Sequence, residues 1–150
     1  MPRQPGRPSG SVLTSLVILN AHGGNYVLGN IVQEGNAQGK RRALFPSGAD
    51  WDDARQAARL TSSAHEDMHA GEIETSILLH ADPELVRDGY QAADWTADDR
   101  RHLLTTGMEK YTRSGVIGRP YLGSAEKGKA VLASLVGSFA VVLEILQKGS

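Results

Sequence analysis

A run of consecutive apolar residues followed at once by a glycine-rich loop is the feature that most constrains the fold of this chain. Within residues 12–19, positions 16–19 read Leu-Val-Ile-Leu. Successive residues of a strand face opposite sides, so this run predicts a strand covered on both faces, as in a parallel sheet flanked by helices. The loop 20–25 follows, then a helical apolar pattern with Asn25 as candidate N-cap. Strand, loop and helix in this order predict an α/β fold.

The remaining patterns predict one more strand and several helices. A short apolar run ended by Pro46 predicts the second strand, so the sheet is expected to be small, with two or three strands. Asp50 is expected to cap a helix through about Leu60, and residues 71–81 carry a strong helical pattern. Residues 115–120 predict a short strand or extended turn. Ser124 is expected to cap a long last helix with an apolar stripe.

Bulk composition is typical of a soluble globular protein. The 150 residues are 40% hydrophobic with a formal net charge of −1, which offers no field for nucleic acid or anionic membrane. No stretch approaches the roughly 20 apolar residues of a membrane span. Residues 1–10 lack an apolar h-region and are expected to be a disordered leader, so a cytoplasmic location follows by default. Without cysteine, any metal must be held by His, Asp or Glu.

The loop His22-Gly23-Gly24-Asn25 is the first candidate site. A histidine at the C-terminal end of a buried strand is well placed to bind a ligand, and glycines let backbone approach that ligand closely. The alternative is a tight turn with a surface histidine. For these four residues alone, the two interpretations have about even weight.

Glu74 is the second candidate, because the helical pattern places it on an apolar face. At about 100° per residue, the apolar side chains fall within an arc of roughly 140°, and Glu74 falls in its middle. The apolar residues of that arc are Ile73, Ile77, Leu78 and Ala81. Glu72 and Ser76 fall on the other side. A carboxylate that points into a core needs a cation or a proton, so a metal or catalytic role is indicated. A buried ion pair with an arginine and a capping role in the first turn are the alternatives.

Residues 65–69, His-Glu-Asp-Met-His, add a dense set of polar side chains just before this helix. His69 lies next to the helix start, and an imidazole there can act as general acid or base near neutral pH. Asp67 is expected to cap the helix. The remaining polar residues of the segment, and the isolated His80 and His102, are expected to be solvated.

Several common catalytic signatures are absent from the sequence. There is no GxGxxG or GxxxxGK[ST] nucleotide motif and no GxSxG elbow of a serine hydrolase. The HExxH zinc signature is absent as well.

Three segments in this order resemble the creatininase family. Residues 16–25 read LVILNAHGGN, residues 69–76 read HAGEIETS, and residues 115–120 read GVIGRP, followed by AEKG at 125–128. HGGN followed by HAGxxETS is the specific part of this resemblance, which covers nearly the whole chain from Val12 onward.

The resemblance implies a divalent-metal hydrolase that acts on the C–N bond of an amide or cyclic amide. It implies a three-layer α/β fold with a small, mostly parallel sheet flanked by helices, and homo-oligomeric, often hexameric, assembly. In it His22 and Glu74 match metal ligands, and His69 matches the acid or base. Gly23, Gly24 and Asn25 match the substrate loop. The metal is expected to be Zn, Mn or Fe, two per site in a full-length enzyme.

One departure from the family pattern limits this expectation. The family's first half carries an E-x-H-G-x-H-L-P motif with further metal ligands, and nothing before His22 resembles it. Residues 11–150 are therefore expected to be the C-terminal part of a creatininase-like domain, incomplete at its N-terminus and inactive alone. Two alternatives remain: a peptidase-like member acting on a modified peptide, as in mycofactocin maturation, and a non-catalytic interaction module.

Overall fold

The computed structural model describes residues 15–148. These residues divide into two compact units, one of residues 15–45 with 142–148 and the other of residues 46–141. The predicted leader, and the part of the first predicted strand before Ser15, lie outside the described residues.

The first unit is built on a strand–helix–strand arrangement. Strand β1 spans Ser15–Leu19, helix α1 spans Val27–Ala37 and strand β2 spans Arg41–Phe45. The two strands pair in parallel, with Ser15 opposite Arg41 and Leu19 opposite Phe45. The predicted α/β fold with a small parallel sheet is confirmed, and the described residues hold two strands.

The junction between α1 and β2 is fixed by side chains of both elements. The Asn36 carboxamide accepts from the Arg42 backbone N–H at 2.7 Å and donates to the Arg42 carbonyl at 2.9 Å. The Arg42 side chain lies against Gly35, where a Cβ would come within 2.7 Å of it. A glycine at the end of α1 therefore lets the strand begin close to the helix.

Strand β1 is less covered than predicted. Leu16 is 46% exposed and Leu19 is 70% exposed. Within the described residues β1 pairs along one edge only, and α1 packs against β2. The expectation of a strand buried on both faces is therefore wrong for this part of the chain.

The second unit is mostly helical. Its helices are α2, Gly48–Ala57; α3, Glu72–Ala81; α4, Leu103–Thr106; and α5, Ala125–Lys148, of which residues 142–148 belong to the first unit. Short 3₁₀ turns lie at Pro83–Leu85, Tyr90–Ala92, Met108–Lys110 and Pro120–Leu122. The helices predicted for α2, α3 and α5 are confirmed. The buried core comprises Ala54, Ala58, Ile73, Ile117, Val131 and Leu135.

Four caps were predicted, and those of Ser124 and Asp67 are confirmed. The Ser124 hydroxyl accepts from the Lys127 backbone N–H at 3.3 Å at the start of α5. Helix α2 is instead capped by Ser47, and Asp50 is the third helical residue of a capping box, with its carboxylate on the Ser47 N–H at 2.7 Å. Asp50 thus stabilises the predicted helix start from inside the helix.

The N-cap of helix α1 also lies one residue later than predicted. Tyr26 occupies the N-cap position and makes no side-chain cap hydrogen bond. The Asn25 carboxamide donates instead to Asn20 Oδ1 at 3.0 Å, so the loop and not the helix determines its orientation.

Helix α5 is more apolar than the composition suggested. It has 24 residues, and an 18-residue window of it has a mean hydropathy of 2.0, long and apolar enough to cross a membrane by length and composition. The expectation that no stretch approaches this length is therefore wrong. Val131 and Leu135 are buried, whereas Val136 is 69% exposed. A core helix of a soluble protein can have the same composition, so α5 by itself assigns no membrane role.

Candidate functional site

The first motif forms a compact loop between β1 and α1 in the first unit. His22 Nδ1 accepts from the Gly24 backbone N–H at 3.0 Å, and Asn20 Oδ1 accepts from the His22 backbone N–H at 3.3 Å. The Asn20 N–H donates to the Phe45 carbonyl at 2.7 Å, which extends the strand pairing by one residue. His22 and the residues after it through Asn25 are exposed.

The hydrogen bond to Gly24 bears on metal binding by His22. A neutral imidazole that accepts at Nδ1 carries its proton on Nε2, because one ring nitrogen is a donor when the other is an acceptor. A metal ion needs a ring nitrogen lone pair. To bind a metal, His22 must therefore give up this bond or change tautomer.

The second motif begins with a histidine held by backbone pairing in the second unit. The His69 N–H donates to the Ile117 carbonyl, and the Ile117 N–H donates to the His69 carbonyl, both at 2.9 Å. Trp95 pairs in the same antiparallel manner with Gly118. The predicted extended segment at 115–120 is confirmed, and it holds the half-buried His69 on one of its edges.

The turn after His69 is unusual. Ala70 has φ of +53°, a conformation that costs on the order of 1 kcal/mol for a residue other than glycine. The Glu74 carboxylate accepts from the Ala70 N–H. Glu74 therefore stabilises the turn that connects His69 to α3, which is the capping alternative weighed above.

The predicted orientation of Glu74 is wrong. Glu74 is exposed, and the two polar residues expected on the outer side, Glu72 and Ser76, are both 0% exposed. The pattern misled because apolar residues occur on more than one side of α3, and Leu78 among them is 38% exposed. The argument from a buried Glu74 carboxylate to a metal ion is therefore lost.

The buried carboxylate of this helix is Glu72, and it is fully compensated. Lys127 Nζ donates to Glu72 Oε1 at 2.6 Å, and the Ser62 and Thr61 backbone N–H groups donate at 2.8 and 3.1 Å. Burial opposes ionisation, but the hydrogen bonds from Lys127 and Ser62 outweigh it and lower the pKa of Glu72 below its ordinary value of 4.5. Glu72 therefore ties the start of α3 to the start of α5 and to the loop after α2.

Asp67 caps α3, as the sequence indicated. Its Oδ2 accepts from the Ile73 N–H at 3.0 Å and from the Arg55 guanidinium at 2.7 Å, with the Asp67 side chain 1% exposed. Its Oδ1 lies against Gly71, where a Cβ would come within 2.0 Å. The glycine of the second motif is thus required by the close approach of this carboxylate.

The other histidines of the second unit do not contact the residues that hold the second motif. His65 is exposed and its Nε2 contacts the Asp98 carbonyl at 3.0 Å, while Arg100 donates to the His65 carbonyl at 2.8 Å. His80 and His102 are exposed, as expected.

Sequence reasoning missed the residues that hold the second motif together. Arg55, Lys127 and the Thr61–Ser62 backbone lie 10 to 55 positions away from the carboxylates that they contact. The sequence indicated that Asp67 caps α3. No local pattern identifies the ion-pair partner of Asp67 or that of Glu72.

The candidate metal ligands match in kind but not in number. Imidazole and carboxylate are suitable ligands for Zn²⁺ or Mn²⁺, and His22 and Glu74 supply one of each. A catalytic zinc ion ordinarily has three protein ligands. Across residues 15–148, no group of three or more His, Cys, Asp or Glu side chains is arranged to hold a metal. His22 belongs to one compact unit and Glu74 to the other. The described residues therefore do not make a complete metal site.

Comparison with known proteins identifies the family. The family model described as creatininase, creatinine amidohydrolase, matches residues 11–143. The chain is 32% identical over 136 residues to the mycofactocin precursor peptide peptidase of Mycobacterium ulcerans (strain Agy99), and 29% identical over 143 residues to that of Mycobacterium tuberculosis (strain ATCC 25618 / H37Rv). Each match covers 87% of this chain and 48% of the relative, so the chain spans about half the length of these curated relatives. No solved structure matches it significantly. The chain belongs to the creatininase family.

Proposed function

We propose that this chain is part of a metal-dependent hydrolase that cleaves the C–N bond of an amide or cyclic amide. The match of the creatininase model to residues 11–143 supports the reaction class. The single observation that carries the proposal is the conformation of the second motif, in which His69 is held by two backbone hydrogen bonds to Ile117 and followed by the strained Ala70. Backbone strain tends to be kept where a side chain must be presented in one orientation.

His69 is the proposed proton carrier. An imidazole can take a proton from an attacking water and give it to the leaving nitrogen near neutral pH. Its backbone is fixed on one side by Ile117 and on the other by the Glu74–Ala70 hydrogen bond. This arrangement restricts where the ring can lie, which is the requirement for general acid–base catalysis.

His22 and Glu74 are the proposed metal ligands contributed by this chain, with Zn, Mn or Fe as the metal. With two ligands the isolated chain is expected to bind metal weakly and to show no turnover, because further ligands are needed. Substrate contact by Gly23, Gly24 and Asn25 stays a prediction. The proposed cytoplasmic location and homo-oligomeric assembly also stay predictions.

Titration calorimetry with Zn²⁺ and Mn²⁺ tests the metal part of the proposal. We expect a dissociation constant weaker than about 1 μM for the wild-type chain and a further loss of at least about tenfold in Glu74→Gln. The glutamine keeps an acceptor for the Ala70 N–H, so the fold is retained. Sub-micromolar binding by the wild type, or equal binding by Glu74→Gln, would contradict the proposed ligand set.

The histidines provide an internal control for the site. In NMR spectra, diamagnetic Zn²⁺ should shift the ring resonances of His22 and leave those of the exposed His80 and His102 in place. Equal shifts of all of them would mean nonspecific binding. Any amide hydrolysis detected by mass spectrometry should be lost in His69→Gln and kept in the matched His80→Gln.

Peptide cleavage is the second candidate function. The specific observation in its favour is that both curated relatives described above are named as precursor peptide peptidases. Because the chain alone is expected to show no turnover, the two are compared in a longer version that supplies the further ligands, incubated with metal and with short peptides or cyclic amides. Turnover of peptides alone would favour this candidate over the first.

A further inference from the structure

A cleft of about 480 Å³ opens in the second unit, and none of the residues assigned above to metal binding or proton transfer lines it. It is lined by Trp95 and by residues 109–114. Trp95, one of the two tryptophans of the chain, is 51% exposed. An indole that faces a cleft offers a large apolar surface for a ligand.

The indole is held in one orientation. Its Nε1–H donates to the Tyr111 carbonyl at 2.7 Å. The Trp95 backbone pairs with Gly118 through hydrogen bonds of 3.0 and 2.8 Å. With its polar atom satisfied and its backbone fixed, the ring loses little conformational freedom when a ligand packs on it.

The charges around the indole favour an anion. Arg113 and Lys110 line the cleft and are exposed, and Glu109 is the acidic side chain of the same wall. Neither cation forms an ion pair within residues 15–148. By contrast, four other arginines of the unit donate to a carboxylate or a carbonyl. They are Arg55, Arg100, Arg101 and Arg119. Arg113 thus remains available for a planar, two-oxygen partner.

We propose that this cleft binds a carboxylate that carries an apolar, aromatic body. The body packs on the Trp95 indole, and the carboxylate contacts Arg113 and Lys110. A peptide with a free C-terminal aromatic residue and a free aromatic acid share this chemistry. The inference stands independently of the proposed hydrolase function, since it uses none of the residues assigned to metal or proton transfer.

Tryptophan fluorescence tests the proposal directly. In Trp51→Phe the emission comes from Trp95 alone, so saturable changes report on the cleft. The probes are N-acetyl-phenylalanine, 3-phenylpropionate and the uncharged N-acetyl-phenylalanine amide. We expect both acids to bind at least about tenfold more tightly than the amide, as loss of a charge-assisted hydrogen bond implies. Tighter binding of N-acetyl-phenylalanine than of 3-phenylpropionate would point to a peptide terminus, and equal binding to a free acid.

Variants of two exposed arginines separate the cleft from general surface charge. Arg113→Gln should weaken binding of both acids about tenfold, and Lys110→Gln should weaken it by a smaller factor in the same direction. Arg101→Gln is the matched control, because Arg101 pairs with Asp99 outside the cleft, and it should leave binding unchanged. Equal affinity for acid and amide, equal effects of the Arg113 and Arg101 variants, or no saturable change with any probe would overturn the proposal.

Discussion

The two histidine motifs are held in different ways. In the His22 loop, the side-chain hydrogen bonds described above join residues no more than five positions apart, and His22 and Asn25 are exposed. In the His69 segment, the contacts reach Ile117, Arg55 and Lys127 far along the chain, and several partners are fully or nearly buried.

This difference separates a locally determined loop from a segment determined by tertiary packing. A loop with local bonds can change conformation at low cost, for example to release His22 Nδ1 to a ligand. A segment fixed by buried ion pairs cannot change without loss of stability, because an unpaired buried charge is costly. Substitutions in the His69 segment should therefore affect stability, and those in the His22 loop should not.

The largest effect is expected from Glu72→Gln. Removing one charge of the buried Glu72–Lys127 pair should lower the free energy of unfolding by about 3 kcal/mol, the lower end for such pairs because Lys127 remains 24% exposed. Urea unfolding followed by tryptophan fluorescence measures this loss. Glu74→Gln, two positions along the same helix, is the control and should cost less than about 1 kcal/mol. Equal losses would contradict the distinction between the two glutamates.

Gly71→Ala should have the next largest effect. Its Cβ would lie 2.0 Å from Asp67 Oδ1 and 3.0 Å from the Gly118 Cα, so backbone or a buried carboxylate must move. Overpacking of this kind costs about 2 kcal/mol. The same urea experiment measures it, and a loss below about 0.5 kcal/mol would show that the Asp67 side chain yields easily.

Acid should weaken the second unit through Glu72. Because the pKa of Glu72 is lowered in the folded state, its carboxylate contributes stability above its ordinary value of 4.5, and this is lost as pH falls through the folded pKa. As pH falls below the ordinary value of 4.5, the urea midpoint of the wild type should decrease more steeply than that of Glu72→Gln. Parallel curves for the two proteins would exclude Glu72 as a source of acid sensitivity.

The smallest effect is expected from Gly23→Ala, the counterpart of Gly71→Ala in the His22 loop. A Cβ at Gly23 meets nothing within 4 Å, so stability should change by no more than about 0.5 kcal/mol. A loss as large as that of Gly71→Ala would mean that the loop is more constrained than its exposure indicates.

The sequence by itself determined most of the local structure of this protein. The apolar runs and capping residues predicted β1, β2 and the helices α1, α2, α3 and α5 to within a few residues, because hydrophobic periodicity and caps are properties of short segments. The motifs also determined the family. Helix starts were misplaced by one to three residues where a loop or a capping box competed for the same side chain, as at Asn25 and Asp50.

Only the tertiary structure decided which glutamate of α3 is buried. Apolar residues on more than one side of the helix left its local pattern ambiguous, and the partner that makes burial of Glu72 possible, Lys127, lies 55 positions away. A charge can enter a core only where a partner meets it, and such a meeting depends on packing between distant segments. For the same reason, the cleft beside Trp95 and its two cations, which form no ion pair among the described residues, could not be found by following the chain residue by residue.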